Sequence, residues 1–273
     1  MKNHWLNTDN FCELGYDSVS IDPALTRRVL DSILGRLPDT TGFADLKNGL
    51  SKNLDHLTKE GIGNITDACW QNQFGHLSQR LLDRPMAREF EKFVVAFFEG
   101  IPAVRRARLH KIRAEDIAKN PLLDKNLPSI TYRIVRAGRK EDVGFPHRDS
   151  DFWIQGIDGL PVLEKNERRV KVWLGIYGLS EANTLCFFKG SHKDHPKVHY
   201  IEKFGKKKPV IDPEYLEANG ENVESPYSKI PFMNIFHDRT IHFAPCTTDA
   251  QQKPLRISIE CTVLILEESS IFL

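Results

Sequence analysis

Residues 255–266, LRISIECTVLIL, constrain this chain more than any other stretch. Leu255, Ile257, Ile259, Cys261 and Val263 share one parity; Arg256, Ser258, Glu260 and Thr262 share the other. A period of two belongs to a pleated strand, whereas a helix would scatter the same apolar residues around its axis. So continuous an apolar face must be covered by a second layer. If helices supply that layer, Arg256 and Ser258 point into the interior on the opposite face. An interior guanidinium needs an anion to offset its desolvation. Glu260 is available as an internal partner. A guanidinium with a hydroxyl two residues on also suits the far carboxylate of a dicarboxylic acid.

The rest of the chain supplies both layers. Asp22-Pro23 is a helix start, a capping carboxylate before a proline fit for the first turn. Leu25, Val29, Leu30, Ile33 and Leu34 follow at helical spacing, with Pro38 beyond. A second helical stretch runs from about His76 to Gly100, with Phe90, Phe93, Val94, Phe97 and Phe98 as its apolar face; Pro85 divides or restarts it. After Pro102 the texture becomes short β-rich runs: ITYRIVR (130–136), VKVWLGIYGL (170–179), TLCFFKG (184–190) and IPFMNIFHD (230–238). Helices first and strands after predict a mainly β fold with helical support (α+β). It is read as one domain over 1–273, a mostly helical lead-in over 1–101 packed on an antiparallel jelly roll over 102–266. Helices do not alternate with the later strands, which disfavours a doubly wound sheet. A long excursion interrupts the core at about 191–229, beginning with the basic stretch HKDHPKVHYIEKFGKKKP (192–209). Loops of that length are usually functional or disordered.

Composition narrows the partners. A net charge of +1 gives no reason to expect nucleic acid. No run of 18 apolar residues is present, so no membrane span is expected, and the first residues do not read as a signal peptide. The five cysteines are dispersed without CxxC spacing, as reduced thiols of a cytoplasmic protein would be.

The segment GFPHRDSDFW (144–153) carries the chemistry. On a strand, His147 and Asp149 project together, an imidazole nitrogen and a carboxylate oxygen about one metal ion apart. A lone HxD also fits a solvated surface strand. In HDRTIHFAPC (237–246) a further histidine occurs in an apolar strand context. Two histidines and one carboxylate leave three open positions on an octahedral iron, enough for a bidentate co-substrate and dioxygen. His237 and His242 are an odd number apart, so on a regular strand they face oppositely. His242 sits between Ile241 and Phe243, as a ligand facing an enclosed interior would.

In order, HRD (147–149), KGSHK (189–193), the histidine of TIHFAP (240–245) and RIS (256–258) resemble the Fe(II)/2-oxoglutarate-dependent dioxygenases, and among them the phytanoyl-CoA dioxygenase-like branch. The resemblance covers roughly residues 130–265. It implies a double-stranded β-helix (jelly roll, cupin-like) with iron on His147, Asp149 and His242. It places the distal histidine 10–15 residues before the arginine, and the gap from His242 to Arg256 is 14, leaving His237 as the alternative third ligand. It makes His192 a turn residue. It implies 2-oxoglutarate on the metal with its far carboxylate on Arg256 and Ser258, dioxygen as oxidant, and succinate as by-product. Halogenating relatives lack the aspartate of HxD, so Asp149 points to hydroxylation. Tyr132, on the strand before HxD, and Trp173 are further expected co-substrate contacts, each with core packing as the alternative. Arg133, Arg136 and Arg139 offer cations to a substrate. Phe152 and Trp153 are candidate substrate-facing aromatics. Lys203, Lys206, Lys207 and Lys208 would attract an anionic small molecule, or form only a solvated loop.

Overall fold

Two proline-started helices build the support layer. Asp22 accepts a hydrogen bond from the Ala24 amide at the head of Pro23–Arg36, and Asp83 accepts one from Met86 at the head of Arg84–Glu99. Pro85 therefore opens a helix, because its missing N–H falls where no intrahelical partner exists. The computed structural model describes residues 8–37, 43, 44, 47, 81–111, 126–154, 163, 164, 166–203, 206–246 and 255–267. The expected helical start near His76 lies outside them.

In chain order the helices are α1 (Thr8–Leu14), α2 (Pro23–Arg36), α3 (Arg84–Glu99), α4 (Asp149–Ile154) and α5 (Pro213–Ala218). The strands are β1 (Tyr16–Ser20), β2 (Val104–Leu109), β3 (Thr131–Arg136), β4 (Glu167–Tyr177), β5 (Cys186–Phe188), β6 (Val198–Lys203), β7 (Lys206–Ile211), β8 (Val223–Glu224), β9 (Phe232–His237), β10 (His242–Phe243) and β11 (Leu255–Glu267). The long alternating segment is β11, and the main antiparallel sheet forms around it in the order β1-β9-β4-β11-β2, with β3 also paired to β11. A smaller antiparallel sheet, β10-β5-β8, carries the second layer of strands. The molecule is thus mainly β with helical support, in the jelly-roll manner. Among the described residues no helix is long and apolar enough to cross a membrane.

Register settles which residues face which side, because directly opposed residues of an antiparallel pair share a face. Ile257, Ile259, Cys261 and Val263 join Val170, Val172 and Leu174 of β4 and Met233 and Ile235 of β9 in one core. Val29 and Ile33 of α2 and Phe90, Val94 and Phe98 of α3, all fully buried, complete it. Burying each such side chain contributes roughly 1.5–3 kcal/mol. The opposite face of the sheet carries Arg256, Ser258, Glu260 and Thr262, with Lys171 and Trp173 of β4 and Asn234 and Phe236 of β9 beside them.

Beside its helices the lead-in contributes a strand, β1, on the edge of the main sheet next to β9. One expectation is corrected here. The excursion at 191–229 is not a bare loop. β6 and β7 form an antiparallel ribbon, α5 follows, and Ile211 anchors them beneath Phe188 and Ile241 of the small-sheet layer.

Candidate metal centre

His147 and His242 meet across an isolated antiparallel bridge. The His147 amide donates to the His242 carbonyl (3.2 Å) and the His242 amide to that of His147 (3.0 Å). Opposed residues of such a pair share a face, and the ring centroids lie 4.5 Å apart. Asp149 reaches the same point differently from the sequence expectation. It is not on a strand: the chain turns at Arg148, and Asp149 is the first residue of α4. One local and one long-range contact hold the turn. Arg148 forms a buried two-pronged ion pair with Asp151 (2.8 and 2.9 Å), and the Ser150 amide donates to the Asp238 carbonyl (3.0 Å).

One donor atom from each of His147, Asp149 and His242 lies within 4.8 Å of the others. Both rings are fixed by the nitrogen facing away from that point. His147 Nδ1 is 2.6 Å from the Phe145 carbonyl and His242 Nδ1 is 3.0 Å from that of Thr240. Carbonyls only accept, so each Nδ1 carries the proton and each Nε2 offers its lone pair, the tautomer of a metal-ligating histidine. Thr240 is itself held, its hydroxyl donating to the Gly15 carbonyl (2.8 Å). The KGSHK turn supports the same strand: Ser191 Oγ donates to the Phe188 carbonyl and accepts from the Ile241 amide (2.9 Å).

Electrostatics suit a cation at this point. Desolvation, and then the neighbouring His242, push the His147 imidazolium pKa down to about 4; desolvation likewise lowers that of His242. Burial pushes the Asp149 carboxyl up, but Lys171, His242 and His147 together outweigh it and hold the group below its ordinary range. Two neutral imidazoles and a carboxylate are the protonation states a divalent metal requires. Asp149 Oδ2 is buried without a hydrogen bond, with Lys171 Nζ at 3.5 Å and His242 Nε2 at 3.7 Å. A shielded carboxylate oxygen in that state suits a cation ligand. The donor set therefore fits a hard or borderline divalent ion such as Fe(II).

His237 is placed elsewhere. It stands opposite Val170, its Nδ1 accepts from the Arg239 amide (3.1 Å), and its ring lies 5.6 Å from that of His192. His192 is buried in its turn, as expected, with Nε2 on the Cys12 carbonyl (3.2 Å).

Arg256 and Ser258 lie in the interior, 3% and 1% exposed. Arg256 donates to the Asn183 carbonyl, and its Nε has no partner. No carboxylate pairs with it among the described residues: Glu260 is taken by Arg133 (3.5 Å) and Thr131 (3.4 Å). Burial, then Arg133, pushes the Arg256 pKa down to about 10. Asn183 is presented by a tight loop that needs Gly178, whose φ is +71° and whose added Cβ would lie 2.0 Å from the Leu255 carbonyl oxygen. Asn183 Nδ2 closes that loop on the Gly178 carbonyl (2.9 Å).

Trp173 shares the interior face with Arg256 and packs with Leu185, Phe187 and Phe236. Phe236 and Phe187 flank His242, with centroids 4.7 and 6.4 Å away. Tyr132 is not brought to this face. It pairs with Ile259 and is fully buried in the core under the helices, whereas Arg133, opposite Ser258, takes the interior position. Arg136 is committed to Asp142 (2.8 and 2.9 Å). Phe152 stands edge-on to His147, 5.3 Å away; the Trp153 side chain lies outside the described residues. Sequence reasoning missed Lys171, although its shared parity with Trp173 on an apolar strand marks it as interior.

No family model matches the chain, and no curated protein matches it. Solved structures do. EctD from S. alaskensis with bound Fe is 14% identical with a TM-score of 0.47, covering 96% of this chain and 78% of its own. EvdO2 from Micromonospora carbonacea var. aurantiaca, complexed with 2-oxoglutarate, is 10% identical with a TM-score of 0.48, covering 99% and 94%. AviO1 from Streptomyces viridochromogenes Tue57 is 11% identical with a TM-score of 0.42, covering 94% and 92%. The iron and the 2-oxoglutarate belong to those proteins.

Proposed function

We propose that the chain is a non-haem Fe(II)- and 2-oxoglutarate-dependent oxygenase that hydroxylates a small polar metabolite, releasing succinate and CO2. The observation that carries this reading is Arg256, a buried cation without a carboxylate partner among the described residues, on the interior face that the triad adjoins. The triad alone supports a metal site. An interior guanidinium with Ser258 beside it adds a receptor for a carboxylate, and 2-oxoglutarate joins a metal chelate to a distal carboxylate in one molecule. The order HRD, KGSHK, TIHFAP, RIS, which resembles the phytanoyl-CoA dioxygenase-like branch, supports the same reading.

His147, Asp149 and His242 would hold the iron, and Arg256 with Ser258 the distal carboxylate. When bound, iron and 2-oxoglutarate supply the activation of dioxygen and the oxidising power for C–H hydroxylation. The chain's own residues do the rest. The Phe145 and Thr240 carbonyls hold both imidazoles in the ligating tautomer. Trp173, Phe187 and Phe236 keep bulk water from the centre. Asp149 fills the carboxylate position, which favours hydroxylation.

Purified protein given Fe(II), 2-oxoglutarate and air is expected to form succinate in proportion to 2-oxoglutarate consumed, with His147→Ala as the blank. Metal-dependent activity without 2-oxoglutarate would instead identify a jelly-roll metal enzyme of another kind. Tyr132→Phe is expected to leave the KM for 2-oxoglutarate within about twofold, since the ring lies across the sheet from Arg256. Tyr132→Ala is expected to cost about 3–5 kcal/mol of folding stability by denaturant titration.

A further inference from the structure

The C-terminal end of α1 braces the segments around the third metal ligand. The last four carbonyls of a helix find no partner within it. In α1 the Phe11 carbonyl accepts from the Gly15 amide (3.0 Å), that of Cys12 from His192 Nε2 (3.2 Å), and that of Leu14 from the Gly190 amide (2.9 Å). Gly15 follows the helix in the left-handed conformation, φ +84°, where a closing glycine is usual. Its own carbonyl accepts twice, from the His237 amide (2.9 Å) and the Thr240 hydroxyl (2.8 Å). This one turn thus grips both the KGSHK turn and the connection from β9 to β10.

Space at the turn admits only glycine. A Cβ on Gly15 would lie 2.4 Å from His192 Nδ1 and 2.7 Å from Thr240 Oγ1. His192 Nε2 donates to Cys12, so Nδ1 holds a lone pair, buried beside Gly15 without a hydrogen-bond partner. Desolvation, and then His237, push the His192 pKa down to about 4, so the ring is neutral. It packs on the bare glycine, and a side chain there would drive the two apart.

Thr240 is the link to the metal. It lies between β9 and β10, fully buried, its amide on the His237 carbonyl (2.9 Å) and its hydroxyl on that of Gly15. The Thr240 carbonyl receives His242 Nδ1 (3.0 Å), so its position sets where His242 Nε2 points. The bridge from His147 to His242 joins backbone to backbone and leaves the rotation of the ring to Thr240.

We infer that Gly15 and Thr240 are positioning residues of the metal centre. The α1–β1 turn holds the Thr240 carbonyl and through it aims His242 at an ion that neither residue touches. The inference deepens the reading of the triad as the metal centre and rests on it.

Mn(II) affinity, read from loss of the free-ion EPR signal, separates a positioning role from a structural one. Thr240→Val keeps the shape and removes the hydroxyl. It is expected to weaken Mn(II) binding about tenfold, the low end of the range for groups that orient a ligand. Thr240→Ser restores the hydroxyl and is expected to bind within about threefold of the wild type. Gly15→Ala is expected to lose about tenfold or more. Ile33→Val, in the core face of α2, is expected to lower Tm yet leave Mn(II) affinity within about twofold. Should Gly15→Ala fail to fold, the two Thr240 variants decide alone. Unchanged affinity in Thr240→Val, an equal loss in Thr240→Ser, or an equal loss in Ile33→Val would each overturn the inference. If the wild type holds no Mn(II), the metal reading fails, and NMR of the metal-free protein decides on the brace. Solvent exchange of the His242 Nδ1 proton is then expected to be at least about tenfold faster in Thr240→Val than in the wild type or Thr240→Ser. Equal rates would overturn the inference there too.

Discussion

Arg256→Leu is expected to fold at least as well as the wild type and to raise the KM for 2-oxoglutarate about 10- to 100-fold. Removing charge-assisted hydrogen bonds worth about 1.5–3 kcal/mol sets that range. The stability half of the expectation is what makes the variant informative. Removing one partner of a buried ion pair is strongly destabilising, because the other charge is stranded. Replacing an uncompensated buried charge by an apolar side chain is neutral or stabilising. Among the described residues Arg256 is of the second kind, since Glu260 is engaged by Arg133 and Thr131 and only the Asn183 carbonyl accepts from the guanidinium. Thermal unfolding without ligand, beside the KM from succinate release, separates the cases. A large fall in Tm would mean that Arg256 serves the fold and not a ligand.

His242→Ala and His237→Ala are expected to part company completely. The first removes a donor atom from the cluster and should weaken Fe(II) binding by more than about 100-fold, beyond the range seen for residues that merely support a ligand. It should abolish turnover with it. The second lies across the sheet, beside His192, and should change metal affinity by no more than about twofold while lowering stability, since His237 Nδ1 accepts the Arg239 amide. Equilibrium dialysis with Fe(II) under anaerobic conditions reads both. Equal losses in the two variants would remove His242 from the ligand set.

How much of this was legible in the sequence depended on whether one local period governed the segment. In β11 a clean alternation separated the helix-facing core from the interior face, and Arg256 and Ser258 fell where parity put them. In β3, TYRIVR is buried on both faces, so apolar character does not mark the side, and the sequence leaves open whether Tyr132 or Arg133 faces the interior. Only the register against Ile259 and Ser258 decides between them. The HRD segment shows a different limit. His147 and Asp149 do converge, but a bridge to His242 and a turn tied to Asp238, both distant in sequence, bring them together, and no strand does. The basic excursion was opaque for a third reason. A run of lysines reads as solvated whether or not one of them is held against a ring, and the placement of Lys208 on Phe152 comes from pairing with β6.

The most direct test of the central claim is an anaerobic titration of 2-oxoglutarate into the Fe(II)-loaded protein, followed by visible absorption. Chelation by the keto acid produces a metal-to-ligand charge-transfer band. The wild type is expected to develop that band saturably, His147→Ala to show none, and Arg256→Leu to show it only at about 10- to 100-fold higher 2-oxoglutarate. A protein that binds Fe(II) with all three donors intact yet develops no band at any 2-oxoglutarate concentration would contradict the account.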